Sequence, residues 1–417
     1  MKFGLRGIRK LLRSLGNPGR EFVCIHIAGT NGKGSVAAML AAILSAAGYR
    51  AGLYTSPHLI EFTERIRVNG TPISRKRVTE LTRRLRPIIN RNKNTFFEAA
   101  TAMAFKHFAL KQVDVAVIET GLGGRLDATN VVKPLLSAIT TIGIEHAELL
   151  GNTIRSIAFE KAGIIKRNVP CVTGVESGAA LAVIHQACND RRSLLRTTRE
   201  VEVSAQKMTF SGSSVSVRCG GIALDNVRLS LPGKFQLKNL SVAILAVDQL
   251  NRDGKLKVSE RAIRYGLENV QKLTGLQARL SLVRSSPQVI CDVAHNPDAA
   301  RSLVKTLQSL GVKKIDLVFG AMRDKDYRSM LRALRPIARR LVLVKAQTDR
   351  STSLDELQRA ATRIGLRAES FERVSDGVMS ALKNSKRKKR VLITGSNFVV
   401  GEALAFLQGK KYLTINQ

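Results

Sequence analysis

A seven-residue segment, Gly29-Thr-Asn-Gly-Lys-Gly-Ser35, carries the strongest chemical signal in the sequence. Its glycines let successive backbone N–H groups curl around phosphate oxygens, Lys33 can neutralise their charge, and the Ser35 hydroxyl can approach a magnesium ion at a helix start. The order departs from the strict G-x-x-x-x-G-K-[ST] loop, because Gly34 stands between Lys33 and Ser35. Dinucleotide-binding fingerprints lack such a central lysine, so an ATP-type ligand fits the segment better.

A second group, Glu119-Thr-Gly-Leu-Gly-Gly-Arg-Leu-Asp-Ala-Thr-Asn130, follows an apolar run at 113–118. A carboxylate at a strand end can hold magnesium directly or through water, and Arg125 can address an anion. The plainer alternative makes Glu119 a solvated strand end and Asp127 a turn or helix cap. Glu145-His146 and Glu160-Lys-Ala-Gly163 say little alone, since an isolated histidine or lysine is more often structural than catalytic. Asp292-Val-Ala-His-Asn-Pro297 reads equally well as a cap and turn or as a compact set of donors and acceptors. Asp324-Lys-Asp326 is open in the same way, between a turn and a segment closing over a nucleotide.

The elements that must hold these groups follow from hydrophobic patterning. Residues 22–28 read as a strand and 35–47 as an Ala/Leu-rich helix; further strands fall at 52–55, 113–118, 137–142 and 170–174, with a helix at 154–162. This alternation predicts a mostly parallel sheet covered by helices. Between about 200 and 231 the period switches, and four short runs at 201–203, 207–210, 215–218 and 227–231 predict antiparallel hairpins. Helices return at 237–250 and after Ser259, and a second α/β series runs from 288 to 394. The expected division lies near 272–280, giving units of 1–275 and 276–417; 417 residues accommodate two or three domains.

Composition narrows the class. Apolar residues at 44% and charged residues at 24% suit a globular protein rather than a disordered or collagen-like one. Sixty-eight Lys and Arg against 32 Asp and Glu give +36, which attracts polyanions without choosing among them. Basic residues concentrate at Arg75, Lys76, Arg77, Arg83, Arg84 and Arg86, around Arg191 and Arg196, and in the run Lys386-Arg-Lys-Lys-Arg390, which reads as a solvated turn or as a nucleic-acid patch. No aromatic RNA-binding pattern interleaves with them, and Trp is absent. Cys24, Cys171, Cys188, Cys219 and Cys291 form no C-x-x-C pair, which argues against disulfides or structural zinc and for a reducing cytoplasm. The basic, amphipathic residues 1–13 read as a first helix, and no apolar run approaches the roughly 20 residues a membrane span needs.

Taken in order, the motifs resemble the folylpolyglutamate synthase and dihydrofolate synthase family within the Mur-ligase-like group. The resemblance covers nearly the whole chain and rests on Gly29 to Ser35, Ser56-Pro-His-Leu59, Phe96-Phe-Glu98, Glu119 to Asn130, Glu145-His146, Glu160-Lys-Ala-Gly163, Asp292 to Pro297 and Gly395-Ser396. It implies an α/β fold with a P-loop ATPase-like Mur-ligase central domain and a smaller Rossmann-like C-terminal domain. The implied activity is ATP-dependent ligation of L-glutamate to a pteroate or folate carboxylate, with ATP and Mg2+ required.

Carried over by position, the resemblance gives Gly29, Thr30, Asn31, Gly32, Lys33, Gly34 and Ser35, with Gln236, Asn239, Arg279 and Asp292, to ATP. It gives Ser35, Ser56, Glu119 and His146 to the metal. Phe97, Glu98, Arg125, Asp127, His295 and Asn296 fall in the substrate region, and Lys33, His146, Lys161, Asp292 and His295 in the catalytic set. Lys161 matches a carboxylated lysine, which would replace a cation by an anionic carbamate. Departures are Glu145 where an aspartate is usual, Val293 where glycine is usual, and a missing proline-glycine approach to Arg279. The expected partners are dihydropteroate or a reduced folate and L-glutamate, for a monomer with no membrane and no specific nucleic acid. The expected function is dihydrofolate synthesis with folate polyglutamylation. Polyglutamylation alone is the alternative within the family, and a nucleic-acid-stimulated ATPase the alternative outside it.

Overall fold

Short β-branched runs alternate with helical segments along most of the chain, and in the computed structural model, which describes residues 4–383 and 390–412, they assemble three sheets. The first holds β1 (Val23–Ala28), β2 (Ala51–Tyr54), β3 (Ile66–Val68), β4 (Thr71–Pro72), β5 (Val115–Glu119), β6 (Leu136–Ile139), β7 (Cys171–Thr173) and β8 (Leu195–Thr197). Their order is β4-β3-β2-β5-β1-β6-β7-β8; six strands are parallel, with β3 and β4 antiparallel at one edge. The helices of this part are α1 (Arg6–Ser14), α2 (Lys33–Ala46), α3 (Arg75–Asn92), α4 (Phe96–Leu110), α5 (Ala147–Leu150), α6 (Ile154–Ala162) and α7 (Gly178–Asp190). Side chains alternate across β1, so Ile25 and Ile27 enter the core under α2 while Cys24 enters the one under α1 and α4. Helix α2 is apolar on every side and is buried from Gly34 to Leu44.

The antiparallel region holds three strands rather than the four expected: β9 (Glu202–Thr209), β10 (Gly212–Cys219) and β11 (Ile222–Leu229), ordered β11-β10-β9. The runs at 201–203 and 207–210 are one strand, because β9 is a largely exposed edge whose polar centre hid its continuity. Helices α8 (Lys234–Arg252), α9 (Glu260–Glu268) and α10 (Val270–Thr274) follow.

The third sheet contains β12 (Ser281–Ser285), β13 (Gln288–Cys291), β14 (Ile315–Phe319), β15 (Ala338–Val344), β16 (Ala368–Phe371) and β17 (Arg390–Thr394), ordered β12-β13-β17-β14-β15-β16. Only β12 runs antiparallel. It is interleaved with α11 (Pro297–Ser309), α12 (Tyr327–Leu334), α13 (Leu354–Arg363), α14 (Val374–Lys383) and α15 (Asn397–Leu407), with apolar clusters on both faces. Lys386, Arg387, Lys388 and Lys389 lie outside the described residues, and Arg390 opens β17. No helix among the described residues is long and apolar enough to cross a membrane.

Candidate functional site

The carboxyl ends of β1, β2, β5 and β6 meet along one sheet edge, which brings Gly29, Ser56, Glu119 and Thr140 together. The 29–35 loop is braced from below. Thr140 Oγ1 and Thr141 Oγ1 donate to the Asn31 carbonyl at 2.7 and 3.1 Å, and Thr141 Oγ1 accepts the Asn31 N–H at 3.0 Å. Gly32 has φ +90°, and a Cβ there would run into Asn239 Oδ1. Asn239 Nδ2 donates to Gln236 Oε1 at 2.8 Å, and Gln236 Nε2 donates to Ser35 Oγ at 3.3 Å, so α8 forms the loop's back wall. Lys33 Nζ donates to the Gly29 and Thr30 carbonyls at 2.8 and 3.2 Å. Its ammonium therefore lies over the loop among oxygen acceptors.

Two buried acids flank this lysine. Glu119 Oε2 accepts the Ser56 N–H at 3.1 Å; burial pushes its carboxyl up, opposed by Lys33, that N–H and Arg279. Glu145 Oε1 accepts from Lys161 Nζ at 2.7 Å, and Lys161 also donates to the Gly29 carbonyl at 2.9 Å. Burial works against ionisation of Glu145, yet Lys33 and Lys161 together hold its carboxyl down at about 2. Burial in turn draws the Lys161 ammonium down to about 8. Next to Glu145, His146 takes φ +47° at the start of α5, and burial and Lys325 lower its ring to about 4.

The third sheet contributes from across the cleft. Ala278 and Leu280 both adopt left-handed backbone, at φ +56° and +52°, a costly conformation for side chains of this type. Between them Arg279 is driven toward the loop, its Nη2 3.4 Å from where a Gly34 Cβ would stand. Asp292 fixes this turn by accepting the Leu280 and Ala294 N–H groups, each at 2.9 Å, and burial raises its carboxyl to about 6 against the pull of Arg279. Asn296 Nδ2 donates to Asn31 Oδ1 at 2.9 Å while its own Oδ1 caps α11 at the Ala299 N–H. His295, held at about 4 by burial, bonds the Val293 carbonyl through Nδ1. A cavity of about 70 Å³ lies where Gly34, Ser56, His58, Glu119, Arg279 and Val293 meet.

The Mur ligase middle domain matches residues 27–247, and the Mur ligase glutamate ligase domain matches 278–397. The dihydrofolate synthase/folylpolyglutamate synthase of Bacillus subtilis is 36% identical, over 96% of this chain and 94% of that protein. The chain belongs to the dihydrofolate synthase/folylpolyglutamate synthase family of Mur ligases. Mycobacterium tuberculosis folylpolyglutamate synthase complexed with ADP and AMPPCP superposes with a TM-score of 0.90 at 32% identity, over 98% of this chain and 96% of that one. The bifunctional Yersinia pestis enzyme complexed with AMPPNP and Mn ion gives 0.85 at 29% identity, over 98% and 94%.

Against this family background, not every residue expected in the substrate region reaches the cleft. Glu98 does not: its carboxylate accepts the Thr95 N–H at 2.8 Å in a capping box at the start of α4 and bonds Asn94 on the side facing α1. Asp127 does not either, because it is buried and accepts the N–H groups of Gly121, Leu122 and Thr129, each at 2.9 Å; it shapes the glycine loop from within, as the turn-cap alternative has it. Phe97 packs between Tyr54 and Gly121, so it lines that loop. Arg125 is half-exposed, paired with Glu160 at 2.7 Å and stacked over Phe159.

Two further hydroxyls and the segment 324–326 also reach the cleft. Thr140 and Thr141 carry no motif, though two hydroxyls at the end of an apolar run were a signal. Lys325 Nζ lies 3.1 Å from His146 Nε2, which joins the third sheet to the first. As to a metal, no three His, Cys, Asp or Glu side chains gather among the described residues. The oxygen donors of Ser35, Ser56 and Glu119 suit a hard cation that completes its shell with water and phosphate, as Mg2+ does, and buried Glu119 keeps acceptor capacity beyond its bond to Ser56. The residues fit that ion.

Proposed function

We propose that the protein joins L-glutamate to dihydropteroate to form dihydrofolate, and adds γ-linked glutamates to reduced folates, using ATP. The single observation that carries the reading is the convergence of the 29–35 loop and Glu119 with Arg279 and Asn296 across one cleft. The units are 1–275, which binds the nucleotide and metal, and 276–417, which closes over it. Five buried free cysteines suit a reducing cytoplasm, and the reading takes the enzyme as a monomer.

In this mechanism the folate-side carboxylate oxygen attacks the γ-phosphorus of ATP, the bond to ADP breaks, and an acyl phosphate forms. The glutamate amine then attacks the acyl carbon; the C–O bond to phosphate breaks, the amine loses a proton, and the amide remains. Lys33 and Arg279 face the transferring charge from opposite sides of the cleft. Bound magnesium supplies charge neutralisation at the phosphates. Ser35, Ser56, Glu119 and His146 would hold it. Lys161 is the candidate for carboxylation; being drawn down to about 8, it presents more free amine to CO2 near neutrality than an ordinary lysine. Closure excludes water and protects the acyl phosphate.

Purified protein with ATP, Mg2+ and glutamate is offered dihydropteroate or a reduced monoglutamyl folate, with mass detection of each added glutamate. Products from both are expected. Product from the folate alone overturns dihydrofolate synthesis, and product from dihydropteroate alone overturns the second activity.

A further inference from the structure

The cleft leaves most of the +36 charge unused, and the structure concentrates part of it on one face. Helix α1 packs against α3 and α4. Between them α1 and α3 carry Arg6, Arg9, Lys10 and Arg13, then Arg75, Lys76, Arg77, Arg83, Arg84, Arg86 and Arg91, against a single carboxylate, Glu80. Leu81 and Leu85 turn α3 inward, so the helical period spreads its cations over the outer arc, where Lys76, Arg83, Arg84, Arg86 and Arg91 are exposed. Of the α3 cations, only Arg75 and Arg77 have a carboxylate within reach among the described residues, Glu61 and Glu80.

We infer that the α1–α3 face is a docking surface for the phosphodiester backbone of double-stranded DNA, read without sequence preference. The sign and density of charge demand a polyanion and rule out a second copy of the same face. Arginine outnumbers lysine nine to two on these helices, and its planar fork suits phosphate. A membrane surface fits less well, because no large apolar side chain is exposed on either helix to enter lipid. Single strands fit less well, because the face has no aromatic platform for bases. An RNA duplex is recognised largely through its 2′-hydroxyls and fits less well, because Thr79 and Thr82, the neutral hydroxyls along α3, spend their O–H donors on the carbonyls of Arg75 and Val78. From Arg75 to Arg91 the helix spans about 24 Å, roughly two-thirds of a turn of the duplex.

The test is fluorescence anisotropy of the full chain with a labelled 24-base-pair DNA duplex across a salt series. Log K is expected to fall linearly with log salt, and R83E/R84E/R86E to flatten that slope by about 3 and to weaken binding more than tenfold at low salt. Ligase activity of that variant should equal the parent's, which shows it is folded, and R83Q/R84Q/R86Q should give an intermediate loss. The charge-matched R332E/R363E/R367E, on exposed positions of the third-sheet unit, should retain most of the binding. An equal loss in that control overturns a localised face. Equal or tighter binding of an RNA duplex overturns the choice of DNA, and binding to vesicles of 30% anionic lipid without binding to DNA overturns the nucleic-acid reading.

Discussion

In the protein with Lys161 as the free ammonium, freed of CO2, replacing Glu145 with Gln tests the charge balance at the centre of the cleft. Glu145 and Lys161 have side chains 7% and 1% exposed and meet at 2.7 Å, with Lys33 adding to the field. In the folded state the carboxyl lies at about 2, against 4.5 when free. At 1.36 kcal/mol per pH unit that difference is worth roughly 3 kcal/mol, within the range of about 3–5 kcal/mol for breaking a buried pair. The sign follows from proton binding. Between pH 2 and 4.5 the unfolded chain holds the proton and the folded chain does not, so this contribution is complete above 4.5 and is lost as pH falls toward 2. E145Q should therefore unfold at lower urea than the parent at pH 7, by about 3 kcal/mol, and the gap should narrow steadily below pH 4.5. Because Trp is absent, helix circular dichroism is the suitable probe. A gap under about 0.5 kcal/mol at pH 7, or one indifferent to acid, refutes the ionic account of this pair.

Other outcomes follow from single contacts. Gly32→Ala should cost about 1–2 kcal/mol in backbone strain plus the displacement of Asn239 and raise the KM for ATP, whereas Gly48→Ala, at nearly the same φ of +92° but with nothing within 4 Å, should cost the backbone strain alone and leave KM unchanged; equal KM values reject the Asn239 contact as the cause. Lys33→Met should lower kcat by about 100-fold or more with stability changed by under about 1 kcal/mol, and a loss of activity that merely tracks unfolding argues otherwise. Asp292 ionises only above about 6, so kcat/KM should fall on the acid side of that pH; in D292N the limb should vanish, and its persistence assigns it to another group.

How much of this was legible depended on where each residue's partners lie. The 29–35 loop and its flanks show in the sequence because its chemistry is local: glycines, a lysine and a hydroxyl in seven residues. Periodicity placed β1, β2, β5 and β7 within a residue or two for the same reason, but ran three residues past the end of β6 and missed the short strands β8 and β16. Helix α3 was read only as a basic cluster, since its inward face amounts to Leu81 and Leu85 with partly buried neighbours, and charge dominates every window across it. Glu98 and Asp127 show the converse failure. Both sit inside motif segments, but their partners are the backbone N–H groups of a helix start and of a glycine loop, which no spacing rule distinguishes from a substrate. The contacts of Thr140 with Asn31, Asn239 with Gly32 and Lys325 with His146 span about a hundred residues or more, so these partners show only once strands and units are paired.

The same long-range pairing explains why strain collects where the third sheet meets the loop. Ala278, Leu280 and His146 all hold left-handed backbone, at about 1–3 kcal/mol each, with no glycine to relieve it. Asp292 offsets part of that cost by receiving the Leu280 N–H, and the Val293 N–H bonds the Ala278 carbonyl at 3.1 Å, so the turn is pinned on both flanks of Arg279. Glycines at 278 and 280 would lower the folded-state energy, yet they would also let the guanidinium leave the line between Gly34 and Asp292. Burial at 292 has the same character: a carboxyl raised to about 6 is a poor source of stability at neutral pH and a good rigid acceptor for two N–H groups. Arg279 is thus held over the 29–35 loop by a costly turn that Asp292 and the Val293–Ala278 bond pin in place.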